Sequence, residues 1–326
     1  MKALIFDAPE HPVVRDIEPP AIGPDDVLVR SHVVGICHSD FELLAGRYII
    51  PVDYPIIPGH EWAGEVVEVG DNVHGLKQGD RVVGECVVGP GGRDHFGFSI
   101  SGANAEYFSA RGEWLHVLPD ELSYATGALV EPFSVAYSAL RAAGRVDPGD
   151  QVVVIGGGPI GLLCVAAAAA HNAQVSIVEP LPHRRERALG LGATAAFDPR
   201  EKDFADRVAA RTTSRGFDVV LECAGAPVAM ASALELAGRS ARVVFVGIDI
   251  GSSAPAKLGL IQSKALQLRG IIGSAGLWPQ TIRFLASGAV DPRAIVTATF
   301  PLERALDALA AAEDTGANVK VHIATS

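Results

Sequence analysis

The segment Gly156-Gly157-Gly158-Pro159-Ile160-Gly161 narrows the fold more than any other stretch of this chain. It has the spacing G-x-G-x-x-G, follows the β-branched run Gln151-Val152-Val153-Val154-Ile155, and opens an Ala/Leu-rich stretch that reaches Ala170. Glycines in that context permit a tight turn, close approach of backbone to a pyrophosphate, and tight packing of helix on strand. The helix start then offers unpaired N–H groups to the anion, with Pro159 and Ile160 in its first turn. A second run, Gln174-Val175-Ser176-Ile177-Val178, ends in Glu179, 18 residues beyond Gly161, where a carboxylate can take the hydroxyls of an adenosine ribose. Such a carboxylate repels a 2′-phosphate and favours NAD over NADP. Arg184 and Arg185 pull the other way, since an arginine can pair with that phosphate.

Around this motif short β-branched runs alternate with helical stretches from residue 151 onward. The runs at 218–221, 242–246 and 266–272 continue the rhythm, which predicts an α/β, doubly wound parallel sheet. The first ~130 residues differ: short strands at 27–34, 64–69 and 81–83 stand between Gly/Pro turns, as in an antiparallel, barrel-like β domain. A tail follows with an amphipathic helix at 302–313 and a strand at 319–323. The expected domains are 1–131, 132–273, and a return of 274–326 to the first.

The 326 residues carry a net charge of -11, which argues against a nucleic-acid partner. The start, Met1-Lys2-Ala3-Leu4-Ile5-Phe6-Asp7, turns acidic too soon for a signal peptide, and the apolar run 162–170 is too short to span a membrane. A cytoplasmic protein without a membrane partner is therefore expected. The four cysteines, 37, 86, 164 and 223, are scattered with no disulfide framework, and Cys164 and Cys223 read as plain buried thiols.

Two further segments carry chemistry: Gly35-Ile36-Cys37-His38-Ser39-Asp40 and Gly59-His60-Glu61-Trp62-Ala63-Gly64. They offer a thiolate, an imidazole and carboxylates, the ligand types of a catalytic zinc. With Glu131-Pro132 and the glycine loop, these segments resemble a zinc-dependent alcohol dehydrogenase of the medium-chain dehydrogenase/reductase superfamily, and the likeness runs nearly end to end. That resemblance implies a GroES-like catalytic domain beside a Rossmann domain. It makes Cys37 and His60 zinc ligands, and places Glu131 where simpler alcohol enzymes have a cysteine, as in the polyol, sugar and threonine branch. Glu61 matches a glutamate that approaches the metal in relatives. Asp40 would orient His60, Ser39 would bond the substrate hydroxyl, and His38 would touch the cofactor or assist the proton relay.

The chain departs from that family where a structural zinc normally sits in a four-cysteine lobe. Only Cys86 is present there, so one zinc per chain is expected, with residues 89–102 forming a flexible rim. The implied activity is NAD(P)-linked oxidation of a secondary alcohol, such as a polyol, cyclitol or aminocyclitol, to its ketone. A zinc-free quinone or enoyl reductase and a catalytically silent dinucleotide-binding protein are the alternatives; Cys37 and His60 count against the first, and the relay residues against the second. A homodimer or homotetramer is expected, since relatives pair a sheet edge near residues 243–250. Phe41, Tyr48, Tyr54 and Trp278 are candidates to line the pocket.

Overall fold

The computed structural model describes residues 1–249, 251–273 and 276–325. The chain divides into two compact units, Met1–Glu131 together with Trp278–Ser326, and Pro132–Leu277.

In the first unit a seven-stranded sheet is built on the long strand Asp26–Gly35, whose inward residues Val27, Val29 and Ser31 are fully buried in alternation. Strands Glu61–Val69 and Lys320–Ala324 pair antiparallel to it, one on each side of its end. Gly35 thereby faces both Glu61 and His322 in register. A Cβ there would lie 2.3 Å from the Glu61 carboxylate and would displace it. The sheet is not wholly antiparallel, because Val296–Pro301 joins Lys320–Ala324 in parallel. The expected tail helix is divided, with a 3₁₀ turn Leu302–Arg304 leading into the α-helix Ala305–Glu313 at a non-helical Arg304. Leu302, Ala305, Ala308 and Leu309 pack on Leu4, Phe6, Ile36, Leu43, Val321 and Ile323, so both chain ends share one core.

Residues 89–102 form a solvated rim only in part, with Pro90, Gly91, Arg93 and Ser101 exposed. Phe96 and Phe98 are 2% and 1% exposed, each joining a different core cluster of this unit. Burying two phenylalanines outweighs the polar, glycine-rich texture that suggested a loose loop.

The second unit is a six-stranded parallel sheet in the spatial order Ala195–Phe197, Gln174–Val178, Gln151–Ile155, Phe217–Glu222, Ala237–Phe245 and Gln267–Gly270. Counted along the unit, that order is 3-2-1-4-5-6, the doubly wound Rossmann arrangement. Strand Ala195–Phe197 was not expected; three residues, two of them alanine, carry little pattern. The expected last strand is shorter, Gln267–Gly270, and it forms the exposed edge. Residues 242–245 are interior, paired on both sides, so the expected edge near 243–250 is corrected; Ile250 itself lies outside the described residues.

Candidate functional site

Strand Asp26–Gly35 runs out through Ile36 to Cys37, which starts the helix His38–Leu44. Asp40, in that helix's first turn and 2% exposed, accepts the Cys37 backbone N–H on Oδ2 at 2.8 Å. Its other oxygen, Oδ1, lies 3.6 Å from His60 Nδ1. One buried carboxylate therefore fixes the turn that presents Cys37 and faces the ring of His60. Ligand atoms of Cys37, His60 and Glu61 all lie within 4.8 Å of one another. Burial opposes a charge on His60, but Asp40, and then the Cys37 sulfur, outweigh it and hold the imidazole well above its usual range.

Glu61 is already engaged. Lys320 reaches it from the C-terminal strand, with Nζ 2.6 and 2.9 Å from the two carboxylate oxygens, and also donates to the Ile36 carbonyl at 2.9 Å. Both side chains are nine-tenths or more buried. Lys320 is the site residue the sequence reading missed. Its signal was a pair of polar residues, Lys320 and His322, two apart on one face of an otherwise apolar strand. Glu131 stands in the first turn of helix Val130–Ala142. Burial pushes its carboxyl up to about 7; Glu61 and Asp40 push the same way, and His60 and Lys320 oppose them. It thus senses the cluster, although its carboxylate is not among the three converging donors.

His38 is exposed and 3.9 Å from Glu42, while Ser39 beside it is half-buried. Phe98 packs against His60, ring centroids 4.6 Å apart, and stacks face to face on Tyr48 at 4.2 Å. Tyr48 is therefore close to the donor cluster. Phe41 and Tyr54 pack on the first unit's core, and the Tyr54 hydroxyl donates to the Leu43 carbonyl. Trp278 is 2% exposed and stacked on His116, so it is packing rather than pocket lining. Cys86 is partly buried near the same cluster, and desolvation pushes its thiol up to about 12.

In the second unit Gly158 is the N-cap of helix Pro159–Ala170, with Pro159 in the first turn and no side chain capping it. The first-turn N–H groups are left for an anion. Gly161 admits no side chain: a Cβ would lie 1.9 Å from the Gly156 carbonyl oxygen. Glu179, 4% exposed, accepts Gly157 N–H on Oε2 at 2.6 Å and Leu181 N–H on Oε1 at 2.8 Å. It braces the loop while each oxygen keeps a lone pair. Arg185 donates to the carbonyls of Glu179 and Pro180 and to Asp198, and Arg200 grips Asp198 with Nε and Nη2. Arg184 sits at the loop itself, its Cβ 3.2 Å from where a Gly157 Cβ would stand.

This fold and these motifs define a class, and the chain belongs to it: the zinc-binding alcohol dehydrogenase family. Residues 23–120 match the alcohol dehydrogenase GroES-like domain, and residues 159–287 the zinc-binding dehydrogenase domain. Among its relatives is the sorbitol dehydrogenase of Bacillus subtilis (strain 168), 36% identical, with 95% of this chain and 92% of that one aligned. The crystal structure of 2R,3R-butanediol dehydrogenase from Bacillus subtilis superposes with a TM-score of 0.91 at 33% identity, over 100% of this chain and 99% of that one. A protein from Sinorhizobium meliloti 1021, assigned as a zinc-binding dehydrogenase and bound to NADP, gives 0.91 at 28% identity over 99% of each chain. No helix among the described residues is long and apolar enough to cross a membrane.

Proposed function

We propose that this protein oxidises a secondary alcohol of a small polyhydroxylated molecule, passing its hydride to NAD, with Cys37 and His60 holding one zinc ion and Glu131 or Glu61 completing the protein ligands. The carrying observation is the convergence of a thiol, an imidazole and a carboxylate to within 4.8 Å, in a chain that also has a dinucleotide-type glycine loop. The donor set fits zinc in type, sulfur and nitrogen with oxygen available. His60 Nδ1 and Asp40 Oδ1 are buried, face each other, and have no hydrogen-bond partner among the described residues. That pairing leaves Nε2 as the nitrogen for a metal, oriented by a carboxylate behind it. Lys320 neutralises Glu61, which weakens Glu61 as a ligand and favours Glu131 as the third.

Zinc held there would polarise the substrate C–O bond and make its hydroxyl more acidic. The chain's own residues do the rest. Ser39 takes the hydroxyl proton, and exposed His38 passes it to solvent. Gly158 and Gly161 bring backbone N–H groups to the pyrophosphate, Gly156 makes the turn with its own N–H held by the Val178 carbonyl, and Pro159 and Ile160 open the helix. Glu179 receives the ribose hydroxyls. NAD is preferred over NADP because Glu179 would repel a 2′-phosphate and Arg185 is committed to Asp198 and two carbonyls. The polyol preference rests on Glu131 and on the sorbitol and butanediol relatives. The exposed edge strand Gln267–Gly270 supports a homodimer or homotetramer, and a cytoplasmic setting completes the reading.

The test is initial-rate oxidation of sorbitol, xylitol, 2,3-butanediol, inositol and 2-propanol with each cofactor, followed by absorbance of the reduced nicotinamide. Turnover of at least one polyol or vicinal diol, faster with NAD than NADP and faster than 2-propanol, is expected. A silent panel with both cofactors would reject the reading.

A further inference from the structure

Cys164 and Cys223, far apart in sequence, meet beneath the glycine loop with their sulfurs 3.8 Å apart. Cys164 is fully buried on helix Pro159–Ala170, three residues past Gly161 and so on the same helical face. Cys223 follows strand Phe217–Glu222, is only partly buried, and donates its N–H to the Ile155 carbonyl at 2.8 Å. The loop it starts backs directly onto the motif: a Cβ on Gly156 would strike Ala224 at 2.9 Å, and one on Gly161 would meet the Cys223 Cβ at 3.5 Å. The two thiols thus join the two elements whose close contact gives the glycine loop its shape.

We propose that Cys164 and Cys223 are a modification site, oxidised by a hydroperoxide to a disulfide that weakens dinucleotide binding. Cys223, the less buried of the two, attacks the O–O bond; its sulfur becomes a sulfenic acid and the peroxide leaves as alcohol or water. Cys164 displaces the hydroxyl as water, so two thiols lose two electrons and two protons and one S–S bond forms. A disulfide needs about 2.05 Å between sulfurs, so helix and strand end, or their side chains, must close by about 1.8 Å. Where helix and strand end take up the closure, the loop yields, because Gly161 already lies against the Gly156 carbonyl oxygen. Linkage is reciprocal: at thiol–disulfide equilibrium a bound dinucleotide disfavours the disulfide by the factor by which the disulfide weakens binding. The hydrogen bond that the Cys223 thiol donates to the Cys164 sulfur, and then burial, hold that thiol well above its ordinary range, so the reaction is slow at neutral pH and quickens in alkali.

The experiment treats the full-length protein with hydrogen peroxide, maps cysteine-containing peptides without reduction, and titrates NADH by fluorescence before and after. The expected result is a 164–223 linked peptide, a roughly tenfold or greater rise in the NADH dissociation constant, and reversal of both by dithiothreitol. Cys164→Ala should abolish both changes. Since that variant loses a buried side chain, the peptide map of the unmutated protein stands as an independent readout. Absence of the linked peptide, or a linked protein that binds NADH unchanged, overturns the proposal. The inference rests on the dinucleotide reading for its binding effect. If the reduced protein binds neither NADH nor NADPH, that reading fails and takes the coupling with it. Intact binding without the cross-link removes the thiol pair alone.

Discussion

Asp40 and Lys320 are the two residues that turn a set of donors into a site. Asp40 shares one carboxylate between the Cys37 turn and the His60 ring, so the cysteine and histidine cannot be placed independently. Lys320 compensates a buried Glu61, and removing one partner of such a pair strands the other charge. Lys320→Met is expected to cost about 3–5 kcal/mol in urea unfolding, with Lys320→Arg recovering part of it; a loss below 1 kcal/mol would contradict the pairing. His322, 1% exposed and beside Lys320, gives the pH prediction. Burial, and then the Lys320 charge, depress its imidazole to about 4. The folded state therefore binds fewer protons than the unfolded state between that value and about 6.5. Stability is full above pH 6.5 and is lost as pH falls toward 4, by roughly 3 kcal/mol from this group. His322→Gln should flatten that part of the stability–pH profile, and an unchanged slope would exclude His322 as its source.

At the level of elements, the strand–loop–helix unit was the most legible part of the chain. Its glycine spacing, flanking β-branched run and following acid impose one local geometry, and Gly161 has no room for a methyl group. Gly161→Ala should destabilise the unit by about 1–3 kcal/mol through overpacking and weaken NADH binding in a fluorescence titration. Unchanged binding would mean that the loop does not hold the dinucleotide. Within the segment 89–102 only the part around Phe96 and Phe98 was misread, because glycine and serine content says nothing of where those two rings point. Only the tertiary fold seats Phe98 between His60 and Tyr48. Phe98→Ala is expected to cost about 3–5 kcal/mol and to raise KM for the alcohol more than for NAD. A KM effect confined to NAD would place Phe98 away from the substrate. Strand Ala195–Phe197 and the sheet edge escaped for a related reason. A three-residue strand has no period, and strand order is set by crossovers rather than by any one run.

At the scale of the whole molecule, the sequence carried the donors but not their company. Cys37, His60 and Glu61 were legible because they stand in two short segments. Their convergence depends on the pairing of Asp26–Gly35 with Glu61–Val69, and the Lys320 partner arrives from the far end of the chain on Lys320–Ala324. The meeting of Cys164 and Cys223 depends likewise on parallel pairing of Gln151–Ile155 with Phe217–Glu222. Long-range pairings of this kind leave no trace in local composition. The central claim is that Cys37 and His60 hold a zinc ion on which alcohol oxidation depends. It is tested most directly by zinc per chain, measured by plasma mass spectrometry on protein purified without added metal or chelator, for the unmutated chain and for Cys37→Ala. The account predicts about one zinc per chain, lost together with NAD-linked alcohol oxidation in Cys37→Ala. Turnover that survives in a zinc-free protein would contradict it.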